Sequence, residues 1–356
     1  MPRPRPIFSG STPLSGGLVR FDGFKSNPGE LDAFVHIPAN LPARAPLVVV
    51  LHGCTQDAAV YDHGSGWSAL ADAHGFALLY PQQRRGNNPN NCFSWFEPGD
   101  TARGAGEVAS IAAMTQAVVA EFDLNPSRVF ITGLSAGGAM TAAMLATYPD
   151  IFAGGAIVAG LPYGIANGVP EALGAMSRPG ALTAAALGER VRTATSFTGP
   201  WPRVAVWHGD ADRTVVAANG DAAARQWVDV HGLDNGGAVT EAISGHPVRR
   251  WRDANGVVQV EAWEIPGMGH GTPIEAAVGG AAGAHFLEAG IGSSAHIAAF
   301  FGIAPAATAA QAKAAPVRPG ATPKFAMPPL VANDGVGGSV ADTINAALRA
   351  AGLMKG

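Results

Sequence analysis

Short apolar runs rich in β-branched residues alternate with helical segments along most of this chain, and that alternation constrains the fold more than any other feature. Such runs lie at residues 47–51, 76–80, 128–132, 154–158 and 203–207. A strand that is apolar on both sides is typical of a parallel sheet that is covered by helices on both faces. The sequence therefore predicts an α/β fold with a mostly parallel central sheet.

The remaining elements fit the same plan. Two strands are predicted at 18–21 and 32–36, and a hairpin at 247–265 turns at Asn255-Gly256, the favoured turn pair. The second arm of that hairpin is predicted to be the last strand of the sheet. Helices are predicted near residues 67–74, 107–122, 136–147, 215–231 and 286–301, with a helical insertion at about 161–200.

Beyond about Pro305 the composition changes. Residues 305–338 are rich in alanine and proline and predict a linker, and residues 339–356 predict a short C-terminal helix with one apolar stripe. That stripe is expected either to dock back on the main domain or to contact a partner or a polymer granule. Residues 1–304 are therefore expected to form the main domain.

Charge and hydropathy exclude several partners. The formal net charge is −4, which gives no reason to expect a nucleic-acid or acidic-membrane partner. No stretch approaches the roughly 20 apolar residues of a membrane span. The N-terminal residues 1–6 carry positive charge with no apolar run behind them, so we expect either a cytoplasmic protein or one whose secretory signal has been removed.

A glycine-flanked serine supplies the candidate nucleophile. The run Gly133-Leu-Ser-Ala-Gly137 matches G-x-S-x-G and stands between a predicted buried strand and a predicted helix. A serine on so sharp a turn tolerates only small neighbours, and the following helix points N–H groups at a developing oxyanion. Ser135 is the predicted nucleophile and the N–H of Ala136 one oxyanion donor. The alternative is a turn that merely connects two elements.

A serine hydroxyl needs a base, and in serine hydrolases built on such a turn the acid and then the histidine follow along the chain. Asp210 and Asp212 both follow the strand at 203–207, and Asp212 is favoured because it lies further into the loop. Its alternative role is to cap the next helix. His270 stands among three glycines after the last predicted strand and is the predicted base. Surface or packing roles are expected for His231, His246, His285 and His296.

The second oxyanion donor is expected in the loop that follows the strand at 47–51, where the N–H of Cys54 is the candidate. Cys54 and Cys92 are the two cysteines, and they fit neither a disulfide framework nor a zinc motif. Two free thiols and one disulfide therefore both remain open. A bond between them would hold the long polar loop 82–103 beside the site.

Five runs together resemble one family: Leu51-His-Gly-Cys-Thr-Gln56, Asn91-Cys-Phe-Ser-Trp95, Gly133-Leu-Ser-Ala-Gly-Gly138, Trp207-His-Gly-Asp-Ala-Asp212 and Gly267-Met-Gly-His270. The chain resembles the polyhydroxybutyrate depolymerase family of the α/β-hydrolase superfamily, which also contains acetylxylan and feruloyl esterases. The resemblance spans about residues 17–302. It implies the α/β-hydrolase fold, the Ser135–Asp212–His270 triad and Cys54 in the oxyanion loop. A disulfide near the site and an extracellular or periplasmic location are implied as well.

The resemblance implies a serine esterase that hydrolyses short-chain 3-hydroxyalkanoate polyesters or their oligomers through an acyl-enzyme. Acyl transfer by a triad needs no metal or cofactor. Trp95 and Trp207 are expected to line an apolar crevice for the polyester, with core packing as their alternative role. Two other hypotheses are an esterase acting on acetyl or feruloyl groups of plant polysaccharides, and a non-catalytic binding protein that keeps the fold.

Overall fold

The computed structural model describes residues 17–277 and 279–305. The strands in this part are β1 (Val19–Arg20), β2 (Asp32–His36), β3 (Leu47–Leu51), β4 (Ala77–Gln82), β5 (Val129–Leu134), β6 (Gly154–Val158), β7 (Arg203–Gly209), β8 (Val239–Ile243), β9 (His246–Arg252), β10 (Val258–Ile265), β11 (Thr272–Ile274) and β12 (Phe286–Glu288). The helices are α1 (Ala58–Ser65), α2 (Trp67–His74), α3 (Pro98–Thr101), α4 (Gly106–Glu121), α5 (Ala136–Thr147), α6 (Val169–Ser177), α7 (Ala184–Arg192), α8 (Ala218–Val230) and α9 (Ser293–Phe300).

One sheet runs through the described residues in the strand order β1-β2-β4-β3-β5-β6-β7-β10-β9-β8. Strands β4, β3, β5, β6, β7 and β10 are mutually parallel, and the outer strands on both sides pair antiparallel. Strands β11 and β12 form a separate small parallel pair. The predicted α/β-hydrolase architecture, a mostly parallel sheet with helices, is confirmed.

The central strands are buried on both faces, as their composition requires. All five residues of β3 are buried, and they alternate between two apolar clusters. Leu47, Val49 and Leu51 pack towards α4, α5 and α8. Val48 and Val50 pack towards α1, α2 and α9 on the other face. The period of two along the strand thus sends successive side chains into two separate cores.

The parallel arrangement decides where the predicted site residues can assemble. Strands β3, β5, β7 and β10 run in the same direction, so the loops that follow them all leave from one edge of the sheet. These loops carry Cys54, Ser135, Asp212 and His270, which lie far apart in the sequence. In open α/β sheets, ligands bind outside the carboxyl ends of the strands.

Several elements differ from the sequence-based expectation. Helix α1, strand β8 and the pair β11–β12 are absent from the prediction, as is α3, which lies inside the predicted loop 82–103. The last helix begins at Ser293 rather than near residue 286. Strand β8 makes the antiparallel edge one strand wider than the predicted hairpin. The predicted insertion at 161–200 contains α6 and α7. Apart from Pro305, the predicted linker and the C-terminal helix lie outside the described residues, so they stay predictions.

The helices of the described ranges include none with the length and apolar character that crossing a membrane would need.

Two valines on strands provide a matched test of this packing. Val49 on β3 is fully buried, whereas Val239 on β8 is 54% exposed. We expect Val49→Ala to lower the free energy of unfolding by about 2–3 kcal/mol, because removing two methyl groups leaves a cavity between close-packed layers. Val239→Ala should change it by less than about 0.5 kcal/mol. Urea denaturation measures both, and equal effects would contradict the assigned core.

Candidate active site

The hydroxyl of Ser135 lies on a strained turn between β5 and α5. Its backbone angles are φ 57° and ψ −117°, a conformation that side-chain-bearing residues rarely adopt. The turn is possible because the chain packs closely around it: a Cβ on Gly137 would lie 2.5 Å from the carbonyl oxygen of His52. A Cβ on Gly133 would clash with the carbonyl oxygen of Gly137. The two glycines of the motif are therefore steric requirements.

His270 joins the serine to a carboxylate. Its Nε2 lies 2.9 Å from Ser135 Oγ, and its Nδ1 lies 2.7 Å from Asp212 Oδ2. Because a carboxylate only accepts, the proton between the latter pair belongs to Nδ1, and Nε2 is left to accept from the hydroxyl. The three predicted residues thus lie in one hydrogen-bonded line, with the side chain of Asp212 fully buried and that of His270 8% exposed.

The structure separates the two candidate acids. Asp212 Oδ1 accepts the N–H groups of Thr214 and Val215 at 2.8 and 3.0 Å, which fixes the carboxylate on its loop. Asp210 instead accepts the N–H of Gly267 at 2.6 Å and so braces the loop that carries the histidine. Only Asp212 of the two therefore contacts His270 in the described structure.

Burial opposes the ionisation of Asp212, but hydrogen bonds from two imidazoles outweigh it and hold its pKa well below the ordinary value. One imidazole is His270 and the other is His208, whose Nε2 lies 3.3 Å from Asp212 Oδ2. The same Nε2 donates to the carbonyl oxygen of Val215 at 2.7 Å. The carboxylate that faces His270 is thus kept charged and is held from both sides.

The loop after β3 presents the expected second donor. Within the described residues, the N–H of Cys54 donates to no acceptor. Ala136 is the first residue of α5, so its N–H has no partner within the helix. The ring of His52 contacts the carbonyl of Gly53 through Nδ1 at 2.8 Å, and His52 Nε2 accepts the N–H of Gln83 at 3.1 Å. Burial lowers the pKa of His52 to about 4, so the ring is neutral at pH 7.

Cys54 and Cys92 form a disulfide, which resolves the alternative that the sequence left open. The bond joins residues that are 38 positions apart and ties the loop that follows β3 to the loop that follows β4. A backbone hydrogen bond of 2.6 Å from Thr55 N–H to the carbonyl oxygen of Asn90 lies beside it. The long polar loop is therefore fixed to the loop that carries Cys54.

The two tryptophans proposed to line a crevice have different environments. Trp95 is half-buried and packs against an apolar cluster formed by Ala139, Leu161, Ala175 and Val215. Trp207 is fully buried, and its ring stacks on that of Trp263 with centroids 4.2 Å apart. The prediction that Trp207 lines a surface crevice is wrong, because its strand lies in the middle of the sheet and turns this side chain into the core.

Three buried polar residues at the site were not singled out from the sequence: His208, Gln83 and Glu107. His208 lies in β7, Gln83 directly follows β4 and Glu107 lies in α4, and each is recognisable only through its partners. Glu107 is 2% exposed in the first turn of α4, and its carboxylate accepts Gln83 Nε2 and the N–H of Ser94 at 2.5 and 2.9 Å. Burial raises the pKa of Glu107 to about 7. The burial and the shifted pKa that mark such an acid as a candidate functional residue are visible only in the structure.

No cluster of three or more histidine, cysteine, aspartate or glutamate side chains suited to a metal ion occurs within residues 17–277 and 279–305.

Comparison with known proteins assigns the family. Residues 32–247 match the family model described as Esterase PHB depolymerase. The chain is 47% identical over 291 residues to poly(3-hydroxyalkanoate) depolymerase C of Paucimonas lemoignei, covering 80% of this chain and 70% of that protein. It is 33% identical over 266 residues to an acetylxylan esterase of Coprinopsis cinerea, covering 73% of this chain and 70% of that one.

A solved structure agrees at the level of the fold. The acetyl xylan esterase from Aspergillus awamori superposes with a TM-score of 0.70 at 24% sequence identity. The match covers 81% of this chain and 100% of that chain. The two proteins therefore share one fold.

The raised pKa of Glu107 predicts a pH-dependent stability. Its ordinary value is 4.5 and its folded-state value about 7, so between these values the folded protein binds more protons than the unfolded chain. The free energy of unfolding contributed by this residue therefore falls as pH rises from 4.5 to 7, by on the order of 3 kcal/mol. In Glu107→Gln this fall should disappear. Urea denaturation of both proteins from pH 4.5 to 7.5 measures it, and parallel curves would contradict the assignment.

Proposed function

The chain belongs to the PHB depolymerase family of esterases, and from this membership we propose that it hydrolyses short-chain 3-hydroxyalkanoate polyesters or their oligomers. As a member it is a carboxylic ester hydrolase. The observation that carries the proposal is the line of hydrogen bonds from Ser135 through His270 to Asp212, in a chain 47% identical to a polyhydroxyalkanoate depolymerase.

The proposed mechanism is acyl transfer in two steps. Ser135 Oγ attacks the ester carbonyl while its proton passes to His270 Nε2, and the negative charge collects on the carbonyl oxygen. When the tetrahedral intermediate collapses, that proton goes to the leaving alcohol and the acyl group stays on Ser135. Water then attacks the acyl-enzyme with His270 as base, releasing the acid and restoring the serine hydroxyl.

Asp212 and the two free N–H groups give this mechanism its electrostatics. The carboxylate of Asp212 holds Nδ1 of His270 as the donor and stabilises the imidazolium that forms during attack. The N–H groups of Cys54 and Ala136 are the proposed oxyanion donors. Each such donor is typically worth roughly 3–4 kcal/mol of barrier when it is aimed at the oxyanion.

The surroundings of Trp95 support a polyester over a sugar ester. Its partners Ala139 and Val215 lie four residues after Ser135 and three after Asp212, so the apolar cluster adjoins the triad. An apolar crevice suits the methyl-bearing repeat of a hydroxyalkanoate, whereas a polysaccharide site presents more hydrogen-bonding groups. The 33% identity to an acetylxylan esterase keeps polysaccharide esters as the second candidate substrate.

An extracellular or periplasmic location is proposed as well. The Cys54–Cys92 disulfide supports it, because disulfides form and persist in oxidising compartments and are rare in the cytosol.

The triad is tested by an active-site label and by two neighbouring aspartates. A fluorophosphonate should label the wild type and leave Ser135→Ala unlabelled, since only an activated serine attacks the reagent.

Asp212→Asn should lower kcat for p-nitrophenyl butyrate by on the order of 10⁴-fold, because it leaves His270 in the wrong tautomer. The control Asp210→Asn removes a loop contact only and should lower it far less. Equal labelling of wild type and Ser135→Ala, or equal losses for the two aspartates, would refute the triad.

The substrate class is tested with Trp95→Ala and the matched control Trp201→Ala. Trp201 precedes β7 and so lies near the opposite edge of the sheet from the site. We expect Trp95→Ala to raise KM for 3-hydroxybutyrate oligomers about tenfold, because apolar contact area is lost, and Trp201→Ala to leave it unchanged.

Wild type should clear a poly(3-hydroxybutyrate) suspension faster than it releases acetate from acetylated xylan. The reverse preference would favour the polysaccharide ester.

A further inference from the structure

Glu107 is a buried carboxylate without a cation. None of the ion pairs formed by the described residues includes it, and the charged group that acts on it is another carboxylate, Asp100, whose Oδ1 accepts the N–H of Glu107 itself at 3.2 Å. Buried carboxylates are normally paired with a positive charge. Because Glu107 has no such partner, we looked for its role in the hydrogen bonds that its two oxygens accept.

The two oxygens of Glu107 connect residues on either side of Cys92 in the loop that follows β4. Oε1 accepts Gln83 Nε2 at 2.5 Å, and Oε2 accepts the N–H of Ser94 at 2.9 Å. Gln83 Nε2 also donates to the carbonyl oxygen of Cys92 at 3.1 Å. A carboxylate accepts at both oxygens, so it matches two converging donors as no other side chain of this length does. One end of the disulfide is thereby fixed from both sides of the loop.

Gln83 carries the constraint on to the peptide that bears the oxyanion donor. Its backbone N–H donates to His52 Nε2, which places the ring proton on Nδ1, where it is donated to the carbonyl oxygen of Gly53. That carbonyl belongs to the same planar peptide unit as the N–H of Cys54. In a trans peptide the two groups point in opposite directions, so holding the carbonyl fixes the direction of the N–H.

We propose that Glu107 is a positioning residue that aims the Cys54 N–H at the oxyanion, acting through Gln83 and His52 and through the loop that carries Cys92. The inference rests on the proposed serine-esterase function. Glu107 touches neither the substrate nor the triad. Its effect is on the alignment of one donor, which matters most when charge develops on the carbonyl oxygen.

The test compares Glu107→Gln with Glu261→Gln at pH 8.5. Glu261 is the matched control because it is also buried, 3% exposed, but accepts from Trp263 Nε1 and Arg250 Nε on β10 and β9. In Glu107→Gln an amide N–H₂ faces one of the two donors, so the alignment relaxes. We expect kcat for p-nitrophenyl butyrate to fall 10- to 100-fold with KM within twofold of wild type. Glu261→Gln should keep kcat within twofold, whatever its melting temperature.

Inhibition by phenylboronic acid gives a second reading. The serine oxygen adds to boron while its proton passes to His270, forming an anionic tetrahedral adduct that uses the oxyanion donors as the reaction does. The inhibition constant should rise about as much as kcat falls in Glu107→Gln, and stay within twofold in Glu261→Gln. A folded Glu107→Gln protein with kcat and inhibition constant within twofold of wild type would overturn the inference. So would losses equal to those of the control.

If Glu107→Gln fails to fold, Gln83→Met provides the same information. It removes the side-chain donors to Glu107 and Cys92, together with the oxygen that accepts from Arg84 N–H and Asn87 Nδ2, and keeps the backbone N–H that contacts His52. A kcat loss of at least tenfold with KM within twofold is expected, and unchanged kcat overturns the inference. Failure of the proposed function is distinct, because wild type would then hydrolyse the ester no faster than Ser135→Ala.

Discussion

The conformation of Ser135 is the constraint on which the rest of the site depends. A residue with a side chain at φ 57° and ψ −117° is held there only because the surrounding backbone leaves no alternative. The N–H of Ser135 donates to the carbonyl oxygen of Val158 at 2.9 Å, and two glycines let α5 approach β3 and β5 closely. The strain is therefore borne by the packing of the whole central sheet, and it directs the hydroxyl towards His270.

The buried polar groups around the site lower the stability of the fold, because burying them costs desolvation free energy. His52 has a pKa of about 4 and Glu107 one of about 7, and burial is the main cause of both shifts. A fully apolar cluster in their place would not carry this desolvation cost. What these groups provide is a fixed direction for individual N–H groups, in a site where a misdirected donor loses much of its effect. These groups therefore lower the free energy of unfolding and, in return, fix the directions of the N–H groups at the site.

Much of the fold and the site followed from the sequence because both depend on local patterns. Apolar runs such as residues 47–51 predict buried strands, and G-x-S-x-G between a strand and a helix predicts the turn at Ser135. The chain order of acid and base then restricts the search to a few loops. The structure brings Ser135, Asp212 and His270 together, although their catalytic roles stay predictions until they are measured.

What the sequence did not reveal depends on contacts between distant segments. A tryptophan such as Trp207 suits either a surface crevice or a core. The position of β7 in the middle of the sheet is what buries this side chain in the core. Strand β8 is short and mostly exposed, with no alternation of apolar and polar residues, so its pairing with β9 leaves no strand pattern in the sequence. Glu107 resembles any acid in the first turn of a helix. Its burial arises from loops that are tied down by a disulfide elsewhere in the chain.

The most direct test of the account is a crystal structure of the enzyme after reaction with diethyl 4-nitrophenyl phosphate. Serine attack would release nitrophenolate and leave a diethylphosphoryl group whose oxygen mimics the oxyanion. We predict that this group is attached to Ser135 Oγ and that its oxygen lies about 2.7–3.1 Å from the N atoms of both Cys54 and Ala136. Attachment to another residue, or an oxygen that points away from Cys54, would contradict the central claim.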